Sequence, residues 1–185
     1  MIIGIVGQNC SGKDTVADIL SEYGFSTIDL GDLVREEARR RGESTEREVI
    51  IPIANEVRAA EGPGAWAARA VVRIESSGGD WAVSSIRHPK EVEILRQLPG
   101  FVLWNVTTSA ERRHERALAR GRDKVASTLE EFKEKERLEN KSSGDTVQRI
   151  SDCEALADET LTNDSTIEDL KKRVSTLIDD GSEKA

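Results

Sequence analysis

Gly7-Gln8-Asn9-Cys10-Ser11-Gly12-Lys13-Asp14-Thr15 follows the apolar run Ile2-Ile3-Gly4-Ile5-Val6 and opens into Val16-Ala17-Asp18-Ile19-Leu20. A glycine-rich turn between a strand and a helix is the layout of a phosphate-binding P-loop. Successive backbone N–H groups wrap an anion, the helix N-terminus adds partial positive charge, and a lysine reaches the β- and γ-phosphates. Gly7 and Gly12 serve that geometry, because a side chain at either would obstruct the turn or the approach of phosphate. Lys13 supplies the cation. The segment thus predicts nucleotide contacts from Gly7, Asn9, Cys10, Ser11, Gly12, Lys13, Asp14 and Thr15.

One position departs from the usual pattern. Asp14 stands where a Ser or Thr hydroxyl normally ligates Mg²⁺. Its carboxylate can hold Mg²⁺ directly or through a water, and Thr15 still offers a hydroxyl on the first helical turn. Equally, Asp14 can do no more than stabilise the helix N-terminus, as acidic groups do there.

The 185 residues suffice for one domain that buries its core without disulfides or a structural metal. Charged residues make up 34% and the net charge is −8, which argues against broad binding to nucleic acid or to an acidic membrane. Anion sites must then be local. No targeting segment or membrane span is evident, so a cytoplasmic location is expected. Cys10 and Cys153 form neither a metal motif nor a disulfide framework and read as free thiols. Cys10 in the anion loop is either a small residue that fits or a thiol whose oxidation would block nucleotide entry.

Short apolar runs alternate with amphipathic segments, the pattern of an α/β fold with a parallel sheet. Five strands are expected at about 2–6, 26–29, 81–86, 101–106 and 159–162. Thr108-Ser109-Ala110-Glu111 and Ser165-Thr166-Ile167-Glu168 have the form of capping boxes. The last helix carries Ile167, Leu170, Val174, Leu177 and Ile178 on one face, to be buried against the sheet. Residues 30–76 form a helical insertion, expected to break at Gly42, Pro52 and Gly62-Pro63-Gly64. It is too long for a simple crossover and is placed to form a second substrate pocket beyond the strand ends. Residues 112–140 begin with a basic run that resembles a lid and continue into an acidic helix. The core then comprises 1–29, 77–111 and 141–185.

This order of parts resembles the nucleoside monophosphate kinase group of P-loop proteins. The likeness rests on 7–15, Asp29-Leu30-Gly31-Asp32-Leu33-Val34-Arg35-Glu36, Ser85-Ile86-Arg87-His88-Pro89-Lys90-Glu91-Val92-Glu93, 112–122 and 157–170. Gly-Lys-Asp-Thr is similar to deoxynucleoside monophosphate kinases, and the stretch from Thr162 to Leu170 to the end of dephospho-CoA kinases; archaeal adenylate-kinase-related proteins share nearly the whole layout. The resemblance implies a three-layer α/β P-loop sandwich with a five-stranded parallel sheet, ATP and Mg²⁺ as cofactors, and small-molecule nucleotide substrates in a monomer or homodimer. It also exposes a gap. The third strand should end in an acid that organises Mg²⁺, yet it reads Ala82-Val83-Ser84-Ser85. Ser84 or Ser85 can bind a metal-bound water while Asp14, Asp29 and Asp32 supply charge from neighbouring strand ends.

Phosphoryl transfer needs alignment and positive charge more than covalent help. Lys13 is the fixed cation, and Arg116, Arg120 and Arg122 are expected to close from the lid. Arg87, directly after an apolar strand, is placed to grip an acceptor phosphate bidentately. Arg35 and Arg58 are further acceptor candidates, although helical arginines commonly pair with nearby Glu. Asp32 either orients the acceptor or caps a helix. His88 and His114 read as surface hydrogen-bonding residues rather than metal ligands. Trp66, Trp81 and Trp104 read as core or pocket wall, with base stacking an alternative for Trp66. The leading function is an ATP- and Mg²⁺-dependent kinase acting on a nucleoside or deoxynucleoside monophosphate. Dephospho-CoA as acceptor, or a nucleotide-binding regulatory module with weak or no kinase activity, are the alternatives.

Overall fold

In a computed structural model, which describes residues 1–121, 127–140 and 148–183, five parallel strands form one sheet. They are β1 (Ile2–Val6), β2 (Ser26–Asp29), β3 (Trp81–Ser84), β4 (Phe101–Thr107) and β5 (Glu159–Thr162), in the order β2-β3-β1-β4-β5. Around them lie α1 (Lys13–Glu22), α2 (Leu30–Arg40), α3 (Arg47–Glu61), α4 (Ala65–Ser77), α5 (Pro89–Leu95), α6 (Ala110–Arg120), α7 (Leu129–Asn140), α8 (Ile150–Glu154) and α9 (Ile167–Glu183).

All five residues of β1 are buried. This is the mark of a strand covered on both faces, as parallel sheets require. Ile2 and Val6 join a core with α2, α3, α4 and α5, while Ile3 and Ile5 join one with α1 and α9. The period-two alternation of side chains therefore assigns each neighbouring residue to a different layer. Trp66 and Trp104 are almost wholly enclosed, one in each core. No helix among the described residues is long and apolar enough to cross a membrane.

Several expectations need correction. β3 stops at Ser84, because Ser85 takes a left-handed φ of 59° and turns the chain out of the sheet. Pro52 lies inside α3 without breaking it. It removes one backbone bond near the helix start, and burial of Ile53, Ala54 and Val57 offsets that loss.

Both proposed caps shift by one residue. Ser109, not Thr108, accepts the Arg112 N–H at 3.3 Å, since the Thr108 hydroxyl is donated to Asp164 at 2.5 Å. Thr166, not Ser165, accepts the Asp169 N–H at 3.2 Å and donates to its carboxylate at 3.0 Å. On α9, Leu170 and Val174 are buried but Ile167 is exposed. A capping box the sequence reading missed starts α5: His88 accepts from Lys90 N–H, Pro89 takes the first helical position, and Glu91 reaches back. His88 is consequently buried, as is His114, which lies 5.2 Å from Phe132 where α7 docks on α6.

Candidate functional site

The turn between β1 and α1 sits at the carboxyl ends of the strands, where open α/β sheets collect ligands. Gly7 has φ 143° and a Cβ there would press on the Val106 carbonyl; Gly12 has φ 105° and a Cβ would strike the Asn163 amide. Cys10 adopts a left-handed φ of 61°. The loop is held from outside by residues distant in sequence. Asn163 Nδ2 donates to the Ser11 carbonyl at 2.8 Å. Arg116 donates to the carbonyls of Cys10 (3.3 Å), Ser11 (3.0 Å) and Asn163 (3.0 Å). Tying these carbonyls outward leaves the anion-binding side of the loop to N–H groups. Arg116 thus touches the back of the loop. Asn163 falls within the stretch from Thr162 to Leu170, but nothing local marks it as a brace.

Lys13 Nζ donates to the carbonyls of Gly7 (2.7 Å) and Gln8 (2.8 Å). Burial first, and then the charge of Arg87, lower its pKa from 10.5 to about 8. The amine is thus stripped of water and crowded by a second cation, and an anion placed between the two would relieve both penalties. Lys13 belongs to a cavity of about 440 Å³ that also contains Asn9, Cys10, Gly12, Asp14, Asp29, Asp32, Ser84, Arg87 and Arg120 in its walls. Thr15 and Ser11 are not among its lining residues, and the Ser11 side chain is buried. Arg120 meets Asp14 across the mouth at 3.2 Å. Arg122 lies outside the described residues.

The acid missing from the end of β3 has a counterpart one strand away. Asp29, paired in register with Ser84, ends β2. Its Oδ2 accepts the hydroxyls of Ser84 at 2.8 Å and Ser85 at 2.5 Å, and its Oδ1 accepts the Asp32 N–H at 3.1 Å. Asp32 in turn binds Arg35 at 2.6 Å. No three His, Cys, Asp or Glu among the described residues are grouped to hold a metal by themselves. Mg²⁺ rarely uses such a cage; it takes one or two carboxylates, waters and the ligand's own phosphates. Asp14 and Asp29 are hard oxygen donors on the cavity wall and fit a cation that arrives with a polyphosphate.

A second cavity, of about 420 Å³, opens between α2, α3, α4 and the end of β3. Its wall is apolar at Val34, Ile50, Ala54 and Trp66, and cationic at Arg35, Arg47, Arg58 and Arg87. No carboxylate lines it among the described residues. Trp66 is fully buried, its ring edge donating to the Ala54 carbonyl at 3.3 Å and its face covered by Arg69 at 4.7 Å. Arg35, Ser85 and Arg87 belong to both cavities. Arg87 donates to Gln148 at 2.8 Å, and burial followed by the nearby Arg47 charge lowers its pKa. Of the sequence candidates, Asn9, Cys10, Gly12, Lys13, Asp14, Asp32, Arg35, Arg58, Arg87 and Arg120 are thus brought to two adjoining cavities. Arg47 and Asp29 complete them; Arg47 carries no local signal that separates it from other helix-start arginines.

The sheet order, the loop and the paired cavities define a P-loop fold of the kinase type. TT1252 from Thermus thermophilus superposes with a TM-score of 0.64 at 21% identity, covering 97% of both chains. Shikimate kinase from Acinetobacter baumannii gives 0.57 at 19% identity, covering 96% of this chain and 92% of that one. The chain belongs to the family described as AAA domain, whose model matches residues 3–143, and UPF0200 proteins are among its relatives in sequence. It is 31% identical to the UPF0200 protein of Methanothermobacter thermautotrophicus, covering 96% of this chain and 89% of that one. It is 34% identical to a UPF0200/UPF0201 protein of Archaeoglobus fulgidus, covering 96% of this chain but only 54% of that longer relative.

Proposed function

We propose that this protein is an ATP- and Mg²⁺-dependent phosphotransferase that moves the γ-phosphoryl group to a nucleoside or deoxynucleoside monophosphate. The observation that carries the reading is the junction at Arg87, where the phosphate-loop cavity meets a second cavity lined by four arginines. A protein that only senses ATP needs no second anion pocket. The phosphate loop and Lys13 hold the polyphosphate, and Arg87 and Arg35 stand between donor and acceptor to draw two anions together. Bound Mg²⁺ would neutralise charge on the polyphosphate, with Asp14 and Asp29 as its holders. The core is 1–29, 77–111 and 141–185, residues 30–76 are the acceptor-binding insertion, and residues 112–140 are the lid that excludes water.

The acceptor wall favours a phosphate over a hydroxyl nucleophile. A hydroxyl must lose a proton to a positioned base; a phosphate oxygen is already ionised. The absence of a lining carboxylate among the described residues suits the second case. It also ranks a monophosphate above dephospho-CoA. A coupled assay with ATP and Mg²⁺ across ribo- and deoxynucleoside monophosphates and dephospho-CoA tests the reading. Turnover with a monophosphate is expected, and ATP binding without turnover of any acceptor would return the protein to the regulatory alternative.

A further inference from the structure

Glu91 is a carboxylate with no access to solvent, on the first turn of α5, behind the acceptor cavity. A buried carboxylate is costly unless it is ionically paired and hydrogen-bonded, and Glu91 has both forms of support. Its Oε2 accepts the backbone N–H groups of Arg87 at 2.7 Å and His88 at 3.1 Å. Its Oε1 receives Arg58 Nη2 at 3.4 Å. One side chain therefore fixes the backbone of one cavity arginine and the guanidinium of another. Arg58 is itself only 5% exposed, lines the acceptor cavity, and its Nε finds no hydrogen-bond partner among the described residues. Buried guanidinium donors are ordinarily all used. That unused donor is itself sealed from solvent, so the Arg58 guanidinium is held in the cavity wall through its other nitrogens, by Glu91 and by Asn55 Oδ1 at 3.3 Å.

We propose that Glu91 is the positioning residue of the acceptor site: it holds Arg87 by its backbone and Arg58 by its side chain, so that both guanidinium groups keep their places in the cavity wall for the acceptor's anionic group. This rests on the reading of the second cavity as the acceptor site. Glu91 touches neither ligand. It acts by spacing two arginines, which makes its loss specific to the acceptor rather than to ATP.

Glu91→Gln separates this role from plain stability. The amide oxygen still accepts the Arg87 and His88 N–H groups, but the amide nitrogen confronts Arg58 donor to donor. The expected result is a Kd for AMP, or for whichever monophosphate the wild type turns over, raised about tenfold or more, with ATP affinity unchanged. A merely structural Glu91 would lower the melting temperature and leave both affinities of the folded protein alone, and that outcome overturns the proposal. Should E91Q not fold, Arg58→Lys keeps a cation beside Glu91 while removing the guanidinium that lines the cavity; it must show the same acceptor-only loss.

A second readout does not depend on turnover. In ¹⁵N-arginine-labelled protein, the Arg58 Nε–H resonance should shift saturably on adding inorganic phosphate, and should stop doing so in E91Q. If it shifts so while no acceptor is phosphorylated, the kinase reading fails but this positioning role stands. If monophosphates are turned over and Arg58 Nε stays silent to phosphate, the positioning role alone falls.

Discussion

The two cavities share Arg35, Ser85 and Arg87, yet their charges differ in kind. The phosphate-loop cavity sets Asp14, Asp18, Asp29 and Asp32 among Lys13, Arg35, Arg87 and Arg120. The second cavity sets four arginines against an apolar wall and no carboxylate among its described residues. Carboxylates would repel a bare anion, so their presence in the first cavity makes sense only if the ligand brings its own cation. Their absence from the second suits a ligand that arrives without one. On the proposed function, the contrast matches a metal-bound polyphosphate on one side of Arg87 and a free monophosphate on the other, in a chain whose overall charge is −8.

The hardest blow to that contrast is Lys13→Ala. It removes the fixed cation of the first cavity, and kcat/KM should fall roughly 10²- to 10³-fold, with loss of ATP binding by calorimetry. Near-normal transfer in K13A would mean that the loop is not the donor site.

Arg87→Ala tests the boundary between the cavities. Removing a charged hydrogen-bond donor should lower kcat/KM for the acceptor about 10- to 100-fold, with a much smaller change in ATP affinity. Equal losses on both ligands would erase the distinction between the two sides, and no loss would favour a sensor.

The smallest effect sharpens the first cavity. With its pKa lowered to about 8 from an ordinary 10.5, Lys13 is charged below about pH 8 in the free protein and loses its proton above it. In the unfolded chain it stays charged to a higher pH. The folded protein therefore carries the cost of a charged, buried Lys13 below pH 8, and that cost is relieved as pH rises from 8 towards 10.5. A bound polyphosphate favours the charged form, so ATP affinity should be level below pH 8 and fall by up to about tenfold per pH unit above it. Calorimetry in two buffers of different ionisation heat should show proton uptake on binding above pH 8. In R87A the fall should begin at higher pH, since the Arg87 charge is the second cause of the shift; an unchanged onset would remove Arg87 from the donor side.

How much was legible in the sequence depended on distance along the chain. The phosphate loop, β1 and α1 are contiguous, and glycine conformation, helix polarity and the lysine all act within fifteen residues, so motif and geometry coincide. Arg87 was legible because it directly follows a strand end. The brace from Asn163 to Ser11 spans 152 residues, the link from Ser84 to Asp29 spans 55 and the pair of Arg58 with Glu91 spans 33. No local pattern encodes such partners. The cap at Thr108 failed for the same reason in miniature: Asp164, from another element, took the Thr108 hydroxyl and handed the cap to Ser109.

The sequence by itself determined the α/β layering, the anion loop and the arginine-rich character of the chain, because alternation, glycine freedom and charge are properties of neighbouring residues. Only the tertiary structure decided which charges share a cavity. It set Asp29 beside Ser84, turned Arg116 to the back of the loop, and gathered Arg35, Arg47, Arg58 and Arg87 around one cavity, because electrostatic and hydrogen-bond energies depend on separation in space, which only the packed sheet and helices fix.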